Sequence, residues 1–152
     1  MSERKAVPDF ELPATGNQRF RLSAFKGHPC ILYFYPKDST PGCTVEGEQF
    51  RDLHDEFRKA GWAVFGISRD PIASHEKFKQ KFAFPFELLS DAEEQACAIF
   101  GVVKMKNMYG KQVRGIERST FAIDREGRIA REWRGVKVPG HAAEVLAFVK
   151  SA

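Results

Sequence analysis

The stretch "CILYFYPKDSTPGCTVEGEQF" (30–50) joins six apolar residues to a polar segment through a loop rich in turn formers. Cys30 to Tyr35 is a continuous apolar run, as expected of a strand buried on both faces. Beyond the loop, Phe50, Leu53 and Phe57 recur at i, i+3 and i+7 on an otherwise polar background. That spacing predicts an amphipathic helix from about Pro41 to Ala60, stopped by Gly61. Thr40 suits the N-cap, and Pro41 suits the first helical position, where an N–H would go unused. A buried strand feeding an amphipathic helix is the opening of an α/β fold, and Cys43 falls in the first turn of that helix.

The same reading extends outward. "FELPATGNQRFRL" (10–22) has two short alternating runs around Gly16-Asn17, a hairpin signal. "WAVFGIS" (62–68) is a second buried strand, and Ile72, His75, Phe78 and Phe82 place a helix over 71–83. "FELLSD" (86–91) is a short strand or extended link, and "AEEQACAIFG" (92–101) a short helix capped by Gly101. "STFAID" (119–124) and "RIAREW" (128–133) form a hairpin around "REG", and "HAAEVLAFVK" (141–150) closes the chain as a helix behind Pro139-Gly140. Alternating strands and helices followed by an antiparallel hairpin predict a mixed central sheet flanked by helices. This is the element order of a thioredoxin-like fold with an N-terminal β-hairpin extension. In open α/β sheets chemistry sits beyond the carboxyl ends of the strands, and Cys43 lies beyond that end of "CILYFY".

A length of 152 residues without repeat, low-complexity tract or linker predicts a single domain over 1–152. The net charge of +4 is spread over 24 basic and 20 acidic residues with no basic arm, so no nucleic-acid partner is expected. Three cysteines, an odd number, argue against a secreted disulfide framework. No apolar run approaches the ~20 residues needed to span a bilayer, and "MSERKAVPDF" lacks the apolar core of a signal peptide. The expected compartment is the cytoplasm, with no membrane partner.

Most isolated cysteines are small buried hydrophobes. Cys43 differs because free N–H groups and the positive end of a helix favour an anion there. An ordinary thiol, with a pKa near ~8.5, is only about 3% thiolate at neutral pH, and a helix N-terminus raises that fraction. A thioredoxin-type oxidoreductase would need C-x-x-C, but the flanking positions are Thr40 and Glu46. His28, His54, His75 and His141 carry no protease signature, and Cys30, Cys43 and Cys97 are too scattered for zinc. No metal or other cofactor is expected. A cysteine that attacks peroxides remains.

"YPKDSTPGCT" (35–44) resembles the peroxiredoxin motif P-x-x-x-T-x-x-C, filled by Pro36, Thr40 and Cys43. "ERSTFAID" (117–124) supplies Arg118 where that family has its second active-site element. "ISRD" (67–70) and "WRGVKVPGHAAEVL" (133–146) look like the Q-type branch, also called bacterioferritin comigratory proteins. The resemblance runs from Pro8 to about Val149. It implies a thiol-dependent peroxidase reducing hydrogen peroxide and organic hydroperoxides through a sulfenic acid on Cys43. It implies that Thr40 and the Cys43 N–H hold the peroxide, that Arg118 stabilises the developing charge, and that Pro36 screens the site. Glu46 either orients the arginine, as in that family, or is a plain first-turn helix glutamate. Lys37 and Asp38 read as solvated loop charges rather than catalytic groups.

The Q-type branch often carries a resolving cysteine five residues after the first, where this chain has Glu48, or in the following helix near Lys79. Cys30 lies ~17 Å away along its strand, beyond disulfide reach. Cys97 is either a buried structural thiol or a resolving cysteine exposed by local unfolding. A one-cysteine mechanism is therefore expected, with thioredoxin or glutaredoxin/glutathione as external reductant. A two-cysteine mechanism through Cys97 and a redox-sensing adaptor or chaperone are the alternatives. A monomer or weak dimer is expected.

Overall fold

The computed structural model describes residues 4–152; Met1–Glu3, the start of the polar N-terminal stretch, lie outside them. In chain order the elements are β1 (Lys5–Ala6), β2 (Glu11–Ala14), β3 (Gln18–Arg21), a 3-10 turn (Leu22–Phe25), β4 (Cys30–Phe34) and α1 (Pro41–Lys59). Then come β5 (Ala63–Ser68), α2 (Ile72–Phe82), β6 (Glu87–Ser90), α3 (Gln95–Phe100), β7 (Val103–Met108) and β8 (Lys111–Ile116). The chain ends with β9 (Ser119–Ile123), β10 (Arg128–Arg134) and α4 (His141–Ser151).

Eight strands form one sheet in the order β1-β10-β9-β4-β5-β6-β2-β3. β4, β5 and β6 run parallel, as two β-α-β crossovers require, while β9 pairs antiparallel with β4 and β2 antiparallel with β6. The mixed thioredoxin-like sheet expected from the sequence is present, with the hairpin of β2 and β3 extending one edge.

All five residues of β4 are buried, which is why its sequence reads as an unbroken apolar run. Successive side chains leave on opposite faces. Ile31 and Tyr33 join the core under α1, α2 and α4, with Phe50, Phe57, Phe78 and Val145. Cys30, Leu32 and Phe34 join the other core, under α3 and the N-terminal hairpin, with Phe20, Cys97, Phe100 and Phe121. The phenylalanines fill both layers, and the Phe50 ring stacks on Tyr33 with centroids 4.6 Å apart. Emptying such a position to alanine costs about 3–5 kcal/mol.

Three features depart from the sequence reading. The short helix at 92–101 is narrower, Gln95–Phe100. Its start is fixed by the Asp91 carboxylate, which accepts from the N–H groups of Gln95 and Cys97, each at 2.7 Å. Residues 103–116, read as no element, form a separate two-stranded ribbon of β7 and β8. A two-residue strand, β1, pairs with β10 at the other edge.

Candidate active site

Cys43 sits in the first turn of α1 and is 2% exposed. Thr40 is the N-cap and Pro41 the first helical residue. The Thr40 side chain does not cap the helix: its hydroxyl donates to the carbonyl of Lys37 at 2.8 Å. With that proton committed, the Thr40 oxygen has lone pairs left to accept from a ligand. The N–H groups of Gly42 and Cys43 have no partner one turn back, so they remain free for an anion.

Arg118 comes from the turn just before β9 and crosses 75 residues of sequence to donate from Nη2 to Cys43 Sγ at 3.4 Å. Its Nη1 donates to Glu46 Oε1 at 2.5 Å. Gly42 makes room for this, since a Cβ there would meet Arg118 Nη2 at 3.2 Å. Glu46 is 1% exposed. Burial pushes its carboxyl up to about 7 against the pull of Arg118. Burial opposes charge on Arg118 too, yet Glu46 and Cys43 hold it above the ordinary arginine range. The geometry thus gives Glu46 a place beside the arginine rather than on an open helix face. Pro36 is half-buried in the loop that leads from β4 to α1.

That loop is held by a group that the sequence reading missed. Asp38, taken with Lys37 as a solvated loop charge, is buried. The Tyr35 hydroxyl donates to its Oδ1 at 2.6 Å, and Ser74 Oγ donates to its Oδ2 at 2.8 Å. His75 Nδ1 lies 2.6 Å from the same Oδ2, and its Nε2 donates to the Leu89 carbonyl at 2.9 Å. The Asp38 N–H in turn donates to Asp70 Oδ2 at 2.9 Å. Asp38, Asp70 and His75 bring ligand atoms within 4.8 Å of one another, a spacing that suits a metal ion. The lone pairs that a metal would use are already engaged by protein donors, so the cluster reads as a hydrogen-bonded clamp between the 35–40 loop and the start of α2. Asp38→Asn is expected to lower stability by about 3 kcal/mol, because an amide N–H₂ cannot accept where the carboxylate does and leaves buried donors of Tyr35, Ser74 or His75 unpaired. For a chain of this size that is a fall of roughly 6–12 °C in Tm in a thermal melt. Lys37→Ala, on the exposed side of the same loop, should stay within about 0.5 kcal/mol of wild type.

Neither buried histidine faces Cys43. His75 is committed to Asp38 and Leu89, and His141 Nε2 lies 2.8 Å from Thr120 Oγ1. Burial pushes His141 down to about 4, so it is neutral at ordinary pH. Beneath the site, the Tyr33 hydroxyl and Glu46 Oε2 are buried without a hydrogen-bond partner.

The other two cysteines lie in the core on the opposite sheet face from Cys43. Burial pushes the Cys30 thiol up to about 12. Burial, reinforced by Asp91, also raises Cys97. Glu48 and Lys79 stand on α1 and α2, where Lys79 Nζ donates to Glu87 at 2.7 Å.

Disulfide exchange finds no second thiol one turn on from Cys43, because that position holds the glutamate bonded to Arg118. Fold and site together define a thiol-dependent peroxidase on a thioredoxin-like scaffold. The AhpC/TSA family pattern matches residues 4–132, and the chain belongs to that family, in its Q-type peroxiredoxin branch. Peroxiredoxin Bcp of Xanthomonas campestris is 52% identical over 146 residues, covering 96% of this chain and 91% of that protein. Peroxiredoxin Bcp of Bacillus subtilis is 48% identical, covering 95% and 92%. A solved structure of the Xanthomonas campestris bacterioferritin comigratory protein, from work on its alkyl peroxide reduction activity, superposes with a TM-score of 0.93 at 49% identity, covering 98% of both chains.

Proposed function

We propose that this chain, acting as one domain in the cytoplasm, reduces hydrogen peroxide and organic hydroperoxides with Cys43 as its only reacting thiol. The observation that carries the reading is the Arg118 guanidinium bridging Cys43 Sγ and Glu46. The Cys43 thiolate attacks the nearer peroxide oxygen and the O–O bond breaks. Sulfur becomes the sulfenic acid, and the leaving oxygen takes a proton to depart as water or an alcohol. Thr40 accepts from the peroxide hydroxyl, the Cys43 N–H donates to it, and Arg118 stabilises charge on the leaving oxygen. Pro36 walls the site from water. Organic substrates are carried over from the alkyl peroxide activity of the Xanthomonas relative.

A one-cysteine cycle is supported by the sheet itself. Cys30 and Cys97 occupy the opposite core, and both customary resolving positions lack sulfur. The sulfenic acid therefore condenses with an external thiol, releasing water, and a second thiol displaces the mixed disulfide to restore Cys43. Thioredoxin or glutathione with glutaredoxin supplies those thiols, and the enzyme works as a monomer or weak dimer. After one equivalent of peroxide, dimedone should label wild type and Cys97→Ser equally, and both should turn over alike. A dimedone-resistant wild type whose non-reducing peptide map links residues 43 and 97 would establish the two-cysteine route instead.

A further inference from the structure

The ribbon of β7 and β8 stands apart from the main sheet and leads directly into the site. Its base is closed where the Glu117 N–H donates to the Val102 carbonyl at 2.7 Å, and the next residue is Arg118. Residues 103–116 hold four of the 24 basic residues and no acid, leaving 20 basic against 20 acidic in the rest of the chain. The whole net charge of +4 thus resides in this one ribbon.

The pairing register sorts its side chains. Lys106 opposes Val113 and Lys104 opposes Gly115, so with alternation along the strands Lys104, Lys106, Lys111 and Val113 share one face. Met105 and Arg114 share the other, where Arg114 is paired with Glu94. Among the described residues, the three lysines of the first face meet no carboxylate, and Lys106 Nζ donates to the Ile116 carbonyl at 2.6 Å. Lysines alone would read as guards against strand pairing at an open edge. The apolar residues between them do not fit that role. The exposed large apolar side chains among the described residues are Val45, Met105, Tyr109 and Val113; three are on the ribbon, and Tyr109 at its tip is 99% exposed. The fourth, Val45, is two residues from Cys43.

We propose that the ribbon is the docking surface for an acidic protein that carries the reducing thiol to Cys43. This rests on the peroxidase reading above, which requires an outside thiol to approach the oxidised cysteine. Charge complementarity selects the partner: a lysine face steers an acidic surface, and Val113 on that face with the exposed Tyr109 at the tip supplies the apolar contact once it arrives. Three lysines on so short a ribbon are few for a nucleic-acid groove, and exposed aliphatic side chains gain nothing against phosphate.

The test uses an acidic thioredoxin as the probe and dithiothreitol as a small neutral control. Wild-type protein oxidised with one equivalent of peroxide is mixed with each, and the rate of reduction is followed by stopped flow. The triple variant Lys104→Glu, Lys106→Glu, Lys111→Glu should lose at least about tenfold in the second-order rate constant with thioredoxin. Its rate with dithiothreitol should match wild type, which also shows that the variant is folded and its site intact. The wild-type thioredoxin rate should fall steeply from about 0.01 M to about 1 M salt, as the screening length drops from ~30 Å to ~3 Å, and the variant's should not. Equal thioredoxin rates in variant and wild type overturn the proposal. So does a variant that is unaffected with thioredoxin but no longer held on heparin, which would make the ribbon a polyanion site. Failure of wild type to turn over peroxide with dithiothreitol strikes instead at Cys43 itself, and takes the docking surface with it.

Discussion

Replacing Cys43 with serine is expected to bring peroxide consumption down to the uncatalysed rate, while Cys30→Ser and Cys97→Ser keep most of the wild-type rate. The three thiols are all buried, so exposure does not distinguish them. Their surroundings do. Cys30 is pushed up to about 12 by burial alone, which leaves roughly one thiolate in 10⁵ at neutral pH. Cys97 is raised by burial and by the neighbouring Asp91 carboxylate, which repels a second negative charge. Cys43 alone has a guanidinium within hydrogen-bond reach; Cys97 also lies in the first turn of a helix, but there its N–H is taken by the Asp91 carboxylate. Initial rates with an excess of small thiol decide the matter. Turnover surviving in Cys43→Ser would sink the assignment, and a collapse in Cys97→Ser with intact Cys43 chemistry would point to a resolving role.

The parts of this molecule that were legible beforehand share a property: their signal is local. The apolar run of β4, the i, i+3, i+7 spacing of Phe50, Leu53 and Phe57, and the Gly61 stop each lie within one turn or one strand of the residues they organise. Position along the chain also placed Cys43 at the helix start. The electrostatics could not be read that way. Glu46 and Arg118 are 72 residues apart, and Asp38 and His75 are 37 apart. No periodicity encodes either pair. Arg118 was reached only through family resemblance, and Asp38 was misjudged because an aspartate in a turn is ordinarily solvated. The ribbon of β7 and β8 was missed for a different reason. "VKMKNMYGKQVRGI" (103–116) alternates, but mostly between lysine and methionine, with little of the β-branched or aromatic character that marks a strand. Tyr109-Gly110 at its turn, both at positive φ, was the available clue.

Arg118→Ala is expected to slow the peroxide step by about tenfold or more, equivalent to ~1.4 kcal/mol or above. The loss should itself depend on pH, because Glu46 shares the guanidinium. Burial raises the Glu46 carboxyl from 4.5 to about 7. Below that value Glu46 is neutral: it still accepts from Arg118 Nη1, but it does not compete with the Cys43 thiolate for positive charge. Above it the carboxylate forms and draws on the same cation. The ratio of wild-type to Arg118→Ala rates should therefore be larger near pH 6 than near pH 8. Stability follows the same group. A carboxyl whose folded pKa lies above its unfolded one contributes stability that is fully present below about 4.5 and lost as pH rises through about 7, on the order of 3 kcal/mol at most. Glu46→Gln keeps the shape and one acceptor but cannot ionise, so it should flatten denaturant stability across this window and also flatten the rate ratio. Alkylation of Cys43 by iodoacetamide, followed against pH in wild type, Arg118→Ala and Glu46→Gln, reads the thiolate directly. If Arg118→Ala leaves both the alkylation profile and the peroxide rate unchanged, the arginine serves the fold alone. If Glu46→Gln keeps the full pH dependence of the ratio, the carboxylate is not what modulates it.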